Sequence, residues 1–357
     1  MLFSSTIDKS SEPKYRNETN FEFLNRSSWR TCEIARQKFN EFCLSYVPDE
    51  EFLKMFKSKS SKQYYSAVFE ILVYTILSRS NLILSRHPET KTGKKPDFLA
   101  IHQNLKLYIE CTLAGNSYER EEEKNRKETV EDIIENMDYF PYFVNLTFEC
   151  ISPKSISRKK LILFLNQIKE KSEGVPDELL RDMSYMFTED DWEIEISVFR
   201  KQDKNIRRSL GFIMNKAKVI EPQQPILTAL NDKRAQKYGI ETESYVICLN
   251  TSDLFTDRES FCQTLFGQCG DSIDLNKKAE KGFYIFNGKP INTTVSAIIF
   301  FRNFDIFTLN SSSITVWHNP FAKNKLPLNI MPFDEYTYNL NGKIIEPALT
   351  KKEVDVF

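Results

Sequence analysis

The segment Ser61–Leu77 constrains the fold more than any other part of this sequence, because it is almost entirely apolar after Gln63. It has helical length and contains neither proline nor glycine, so it predicts a helix that is buried on most faces. Glu70 lies in the middle of it. A glutamate is almost never fully buried unless it is paired or binds a cation. The segment therefore predicts a buried ion pair, a residue at the edge of a cleft, or a ligand at Glu70.

The composition supports a large core and limits the charge that a partner could meet. Hydrophobic residues make up 41% of the 357 residues and include 28 phenylalanines, which excludes a globally disordered chain. The 49 lysines and arginines nearly balance the 50 aspartates and glutamates, for a net charge of −1. Any contact with nucleic acid must therefore come from a local basic patch and not from the overall charge.

The cysteines and the absence of membrane segments predict a cytoplasmic protein. There are seven cysteines, scattered and without a CxxC pair, which favours free thiols in a reducing compartment over disulfides. Cys111, for example, faces the apolar side of its predicted strand, which favours a core thiol over a nucleophile. The three histidines lie far apart in sequence, so zinc is not expected. No apolar run approaches the ~20 residues that span a membrane, and residues 1–20 lack the apolar region of a signal peptide.

Predicted strands and helices mix along the whole chain, with no internal repeat and no Pro/Gly/Ser-rich linker. This pattern predicts the α/β class, with a single domain built on a mixed β-sheet flanked by helices. We place a disordered tail at 1–20 and the domain at 21–357. Its core is expected over 60–150, with elaborations over 151–357.

A predicted β-hairpin carries the next carboxylates. Residues 97–101 and 105–113 read as two strands joined by a short turn. In the second strand Glu110 and Thr112 point to the same face, because side chains alternate along a strand. Asp97 begins the first strand, so its carboxylate and that of Glu110 can converge if the strands pair.

A third carboxylate, from the preceding buried helix, could complete the cluster. Glu70, Asp97 and Glu110 would then offer clustered hard oxygen ligands, which suit Mg²⁺ or Mn²⁺. Such an ion can generate hydroxide and stabilise charge on a phosphate. The ordinary alternative for Asp97 alone is a residue at a loop-to-strand junction.

These residues resemble the signature of the PD-(D/E)xK, or restriction-endonuclease-like, superfamily. That signature is a helical glutamate, then Pro-Asp, then a strand that carries Glu-x-Lys. Here the matching positions are Glu70, Pro96-Asp97 and Glu110-Cys111-Thr112, with twelve residues between Asp97 and Glu110. The resemblance implies a restriction-endonuclease-like core and a magnesium-dependent endonuclease.

A wider resemblance covers roughly residues 60 to 328. The chain looks like a group of bacterial proteins of unknown function that share a PDF…ExT core. The similar stretches are His87-Pro88, Lys95–Leu99, Leu107–Thr112, Ala229-Leu230 with Lys233, Lys237–Gly239, Leu265–Gly267 and His318–Pro320. Bacterial proteins with this core often serve restriction or anti-phage defence, which the resemblance suggests for this chain.

The sequence departs from the superfamily at its lysine, whose position holds Thr112. A hydroxyl carries no charge and cannot replace the electrostatic part of that lysine. Either a lysine from elsewhere reaches the site, or the site is inactive. Lys233 and Lys237 are candidates, since they lie four residues apart on a helix predicted over 226–237 and ended by Gly239. The other candidates are nearer in sequence and are Lys94, Lys95 and Lys106. The ordinary alternative for each is a solvated surface charge.

Two functional hypotheses follow from these residues. The first is a metal-dependent phosphodiesterase that cleaves DNA or RNA, with Glu70, Asp97 and Glu110 as metal ligands and with Thr112, Lys233 and Lys237 as further catalytic candidates. The second is a catalytically inactive module that keeps the fold and binds nucleic acid or protein. A lysine amine within ~5 Å of the carboxylates would favour the first, as would an Mg²⁺ or Mn²⁺ requirement. A homo-oligomer or an activating protein partner is compatible with either.

Overall fold

The computed structural model describes most of the chain. It gives no side-chain placement for 121–125 or 340. The described residues are 2–3, 9–15, 18–80, 82–114, 121–137, 139–203, 206, 208–211, 223–251, 256–270, 272–276, 281–309, 312–341 and 344–351.

Helices and strands alternate through the chain. The helices are α1 (Asn20–Arg26), α2 (Arg30–Tyr46), α3 (Glu50–Phe56), α4 (Ser61–Ser78), α5 (Glu121–Glu135), α6 (Arg158–Ser172), α7 (Asp177–Asp182), α8 (Gln223–Asp232) and α9 (Arg258–Phe266). A 3₁₀ turn, Ala235–Tyr238, follows α8. Within the described ranges, every helix is too short or too polar to cross a membrane.

The strands are β1 (Ile83–Arg86), β2 (Phe98–His102), β3 (Leu105–Ala114), β4 (Tyr142–Cys150), β5 (Ser184–Glu189), β6 (Trp192–Arg200), β7 (Ser244–Thr251), β8 (Ile273–Asp274), β9 (Ile285–Phe286), β10 (Lys289–Pro290), β11 (Ala297–Arg302), β12 (Ser313–His318), β13 (Asp334–Asn341) and β14 (Ile344–Thr350). Strands β9 and β10 form a small antiparallel pair. The predicted hairpin is present as β2 and β3, which pair antiparallel.

Contacts divide the chain into two compact units, where the sequence predicts one domain over 21–357. The first unit comprises 1–116 and 220–357, and the second comprises 117–219. The predicted core, 60–150, is shared between the two units. Residues 117–219 lie in the sequence between β3 and α8.

The first unit is built on a nine-stranded sheet in the order β1-β2-β3-β7-β11-β12-β13-β14-β8. Strands β3, β7 and β11 run parallel to their neighbours in this set, and β12 runs parallel to β13. The remaining pairs are antiparallel. This mixed sheet, flanked by helices, confirms the predicted α/β class.

The centre of the large sheet is buried on both faces. Along β7, Val246 and Cys248 belong to one hydrophobic cluster, while Tyr245, Ile247 and Leu249 belong to another. A strand covered on both sides is expected to be apolar at every position, and β7 is buried along almost its whole length. The sheet therefore separates two cores.

Helix α4 covers the first of these cores. Ser60 caps its start by accepting a hydrogen bond from the Gln63 backbone N–H, at 3.4 Å. Phe69 packs edge-on against Phe301 of β11, with ring centroids 5.1 Å apart. Most of the helix beyond its first turn is buried, as its apolar sequence predicts. Helices α8 and α9 contribute to the cluster on the opposite face.

The second unit is a three-stranded antiparallel sheet in the order β4-β6-β5, with α5, α6 and α7. Alternate residues of β6 are buried, in agreement with the alternation of its sequence. Trp192, Ile194 and Ile196 join Leu161 and Leu165 of α6 in a core of its own. This part of the chain therefore has an independent hydrophobic core.

Within the predicted disordered tail, 1–20, the side chain of Phe3 packs into the first core. This side chain is 3% exposed and its ring stacks on that of Phe21, with centroids 5.3 Å apart. The Leu2 and Phe3 backbone N–H groups also donate to the Asn40 side chain. Aromatic burial thus fixes this end of the described chain to the first core.

Candidate active site

The β2–β3 hairpin brings two of the predicted carboxylates together. Phe98 pairs with Ile109, so Asp97, one residue before β2, lies beside Glu110. The Asp97 backbone N–H donates to Glu110 Oε2 at 3.2 Å. In return, the Cys111 N–H donates to Asp97 Oδ2 at 2.6 Å. These two bonds fix both carboxylates at the end of the strand pair.

Glu70 enters the site from the middle of α4 and is 5% exposed. The Tyr46 hydroxyl donates to Glu70 Oε1 at 2.5 Å, and His87 Nε2 lies 3.7 Å from the same oxygen. The His87 backbone N–H also donates to the Asp97 carbonyl oxygen at 3.0 Å. His87 therefore connects Glu70 to the start of the hairpin, in a left-handed conformation with φ of 47°.

Burial and like charge act together on Asp97. Protein atoms surround its carboxyl group although part of the residue still meets water, and this desolvation is the largest cause that raises its pKa. The negative charges of Glu110 and Glu70 raise the pKa further, while Lys233 opposes them. The result is a pKa well above the usual range for aspartate, as expected of clustered carboxylates.

The pKa of Glu70 is also raised, with burial as the main cause. The Tyr46 hydroxyl favours the charged form through its hydrogen bond, and His87 and Arg86 favour it through their charge. These opposing contacts satisfy a carboxylate that α4 would otherwise bury alone. Glu70 therefore has the polar partners that the sequence predicts for a buried glutamate.

Lys233 reaches the carboxylates from a distant part of the chain. Its ammonium group donates a hydrogen bond to Glu110 Oε1, across a sequence separation of 123 residues. The Glu110 side chain is 2% exposed, whereas that of Lys233 is 31% exposed. Desolvation lowers the pKa of Lys233, but the attraction of Glu110 and Asp97 outweighs it, so the pKa is raised overall. A lysine amine therefore lies next to the carboxylates, as the first hypothesis requires.

Lys237 lies elsewhere, because the helix predicted over 226–237 is wrong at its end. Helix α8 stops at Asp232, and Arg234 is extended, with ψ of 142°. Lys237 falls in the separate 3₁₀ turn, so it does not share a helix face with Lys233. Its Nζ is 3.6 Å from Asp232 Oδ1 and its side chain is 41% exposed. Gly239 does end this turn in the left-handed conformation.

Thr112 and Cys111 occupy opposite faces of β3. Thr112 is half-buried and pairs in register with Leu249, two positions beyond the pairing of Glu110 with Ile247. It therefore shares the face of Glu110, as alternation predicts. Cys111 packs against the first core, and burial raises the pKa of its thiol. This confirms a core thiol and leaves Thr112 as the residue beside Glu110.

Two tyrosines near Glu110 escaped the sequence reasoning. The Tyr245 hydroxyl donates to the Lys233 carbonyl oxygen at 2.7 Å. Tyr238 lies near Glu110, and burial together with that carboxylate raises the pKa of its phenol. The available signal for Tyr245 was its place within an apolar segment, since a buried hydroxyl needs a partner. The identity of that partner is not readable from the sequence.

The sequence predicts that Glu70, Asp97 and Glu110 hold one ion together, and the structure does not arrange these three side chains as such a site. Within the described residues, no group of three or more His, Cys, Asp or Glu side chains is arranged to hold a metal ion. Mg²⁺ seldom uses such a cage and usually binds through one or two carboxylates together with water and substrate phosphate. Asp97 and Glu110, which lie side by side, offer the chemistry that this coordination needs.

Comparison with known proteins identifies no relative. No family model matches the chain, and neither a curated protein nor a solved structure matches it. We therefore infer the function from the residues and their geometry.

Proposed function

We propose that this protein is a metal-dependent phosphodiesterase that hydrolyses DNA or RNA, with Lys233 in the role of the lysine that β3 lacks. The observation that carries the proposal is the contact between the Lys233 ammonium group and Glu110, beside Asp97. This contact supports the proposal because the PD-(D/E)xK signature has a positive charge close to its carboxylates, whereas Thr112 carries none. The charge comes from the segment after α8 and not from β3.

The lysine is needed because phosphodiester hydrolysis builds negative charge on the phosphate oxygens. A positioned ammonium group can stabilise that charge and orient the attacking water. Glu110 holds Lys233 in place through their hydrogen bond. The side chain of Lys233 is still 31% exposed, so this end of the pair is open to solvent, unlike Glu110.

Asp97 and Glu110 would hold Mg²⁺ or Mn²⁺, with Glu70 close enough to influence Asp97. When bound, the ion would supply Lewis-acid stabilisation and an activated water. Tyr46 and His87 keep Glu70 oriented, and the Cys111 N–H keeps Asp97 oriented. A role in bacterial restriction or anti-phage defence, in the cytoplasm and with an activating partner or a second copy, is part of the same proposal.

Cleavage assays with matched lysine variants test the proposal. Wild-type protein is incubated with single- and double-stranded DNA and RNA, with Mg²⁺, with Mn²⁺, or with EDTA. We expect cleavage only with metal, and its loss in Asp97→Ala, Glu110→Ala and Lys233→Met. Lys237→Met is the control, because its exposed ammonium pairs with Asp232 outside the site. Equal activity of the Lys233 and Lys237 variants would contradict the role given to Lys233.

The alternative, an inactive binding module, is favoured by one observation, which is the threonine at the motif's lysine position. Thr112→Lys separates the two functions. In an enzyme that uses Lys233, a second ammonium beside Glu110 adds little or interferes. In an inactive relic with intact ligands, the same substitution creates weak cleavage. A wild-type protein that neither cleaves nor binds Mn²⁺ by calorimetry supports the binding module.

A further inference from the structure

The backbone of Lys233 lies just beyond the C-terminal end of α8. Helix α8 ends one residue earlier, at Asp232, and the extended Arg234 follows. The last carbonyl groups of a helix have no partner within the helix and must find one elsewhere. At Lys233 the partner of the carbonyl oxygen is the Tyr245 hydroxyl, at 2.7 Å. The position of the lysine therefore depends on a residue outside its own segment.

Tyr245 is fixed firmly to the sheet. It is completely buried in β7, where it pairs in register with Tyr108 of β3. Its N–H donates to Ser296 Oγ at 3.0 Å, and its carbonyl oxygen accepts from the Ser296 N–H at 2.7 Å. The ring of Tyr238 packs against its own ring, with centroids 5.9 Å apart. The phenol hydroxyl is thus presented from a rigid support.

We infer that Tyr245 is a positioning residue that holds Lys233 against Glu110. Two neighbouring strands grip the lysine at opposite ends: β7 binds its carbonyl oxygen through Tyr245, and β3 binds its ammonium group through Glu110. The inference that Tyr245 positions Lys233 does not depend on the activity of the site. The expected effect of Tyr245 on catalysis rests on the proposed function.

This arrangement matters because a lysine side chain is long and flexible. Four methylene groups separate its backbone from its amine, and their rotamer freedom is lost when the amine is held against Glu110. Fixing the backbone restricts the region that the amine can sample. Without the Tyr245 hydroxyl, the segment after α8 is free to shift, and small displacements of a catalytic group reduce the rate strongly.

The chain provides a matched control for the loss of a buried tyrosine hydroxyl. Tyr284 is also fully buried, lies in the same hydrophobic cluster as Tyr245, and donates its hydroxyl to a backbone carbonyl oxygen, that of Trp317, at 3.0 Å. Tyr245→Phe and Tyr284→Phe therefore remove the same bond type from the same core. Only the first variant removes a bond to Lys233.

The experiment measures the reactivity of the Lys233 amine. Wild-type protein and both variants are treated with a trace of an acetylating reagent, and peptide mass spectrometry gives the rate at Lys233. Lys169, on α6 of the second unit, serves as the internal standard. We expect Tyr245→Phe to label Lys233 several-fold faster than wild type, because an amine that is no longer held against Glu110 is more accessible to the reagent. Tyr284→Phe should match wild type.

The outcomes separate this inference from the proposed function. Unchanged labelling of Lys233 in Tyr245→Phe overturns the inference, and so does equal acceleration in both variants, which indicates general loosening. If nuclease activity is present, Tyr245→Phe should lower kcat by about tenfold with little change in KM, as expected when only transition-state contacts are lost. If labelling responds as expected and no variant cleaves nucleic acid, Tyr245 still positions Lys233 and the proposed function fails.

Discussion

Loss of Lys233 should destabilise the protein much more than loss of the charge on its partner Glu110. The Glu110 side chain is 2% exposed and that of Lys233 is 31% exposed. Lys233→Met therefore leaves a carboxylate that cannot reach water, and breaking a buried pair in this way costs about 3–5 kcal/mol. We expect a cost near the lower end, about 3 kcal/mol, because the lysine end of the pair is partly hydrated.

Glu110→Gln is the complementary change. It leaves an ammonium group that can turn towards solvent, so it should cost less than Lys233→Met. In the double variant the two losses should not add, and a coupling energy of about 2 kcal/mol is expected for residues in direct contact. Lys237→Met is the matched control, since its pair with Asp232 is exposed and should contribute less than about 1 kcal/mol.

Urea unfolding, followed by tryptophan fluorescence and circular dichroism, gives the free energy of unfolding of each variant. The slope of the unfolding free energy against urea concentration must be the same in every variant, so that the midpoints report stability. If Lys233→Met destabilises the protein no more than Lys237→Met does, Lys233 does not compensate a buried Glu110 carboxylate. If the losses from Lys233→Met and Glu110→Gln simply add, the two side chains are not coupled.

Further predictions concern the carboxylates and the first core. The folded-state pKa of Asp97 is raised above its unfolded value of about 3.9, so ionisation costs stability as the pH rises from there through the raised pKa. Asp97→Asn, which retains an acceptor for the Cys111 N–H, should therefore raise the thermal midpoint at pH 8 and have little effect below about pH 4. Tyr46→Phe removes a hydrogen bond that favours the charged form of Glu70, so an NMR titration should show the pKa of Glu70 raised further. Phe69→Ala should lower the free energy of unfolding by about 3–5 kcal/mol in the same urea assay, because a fully buried ring is lost.

Local sequence pattern was enough to predict the parts of the site that lie on one hairpin and one helix. Alternation along β3 places Glu110 on one face and Cys111 on the other, and pairing with β2 then brings Asp97 alongside. The apolar surroundings of Glu70 likewise predict a buried carboxylate with partners. These predictions succeed because each depends on geometry that repeats every two or about four residues.

The rest of the site depends on contacts that no local pattern encodes. Lys233 meets Glu110 because β3 and β7 are neighbours in the sheet, although 117–219 form another unit between them in sequence. The same adjacency brings the Tyr245 hydroxyl to the Lys233 carbonyl. The helix that periodicity predicts over 226–237 is also longer than α8. The apolar pattern does not reveal that Arg234 is extended and separates Lys237 from Lys233.

Local pattern is therefore sufficient to predict the α/β class, the hairpin and the two carboxylates that this hairpin brings together. It does not predict that Lys233 joins them or that Tyr245 holds Lys233, because a strand or helix repeats its geometry over only a few residues. The approach of residues more than a hundred positions apart depends instead on strand order, which is set by the burial of both faces of the sheet.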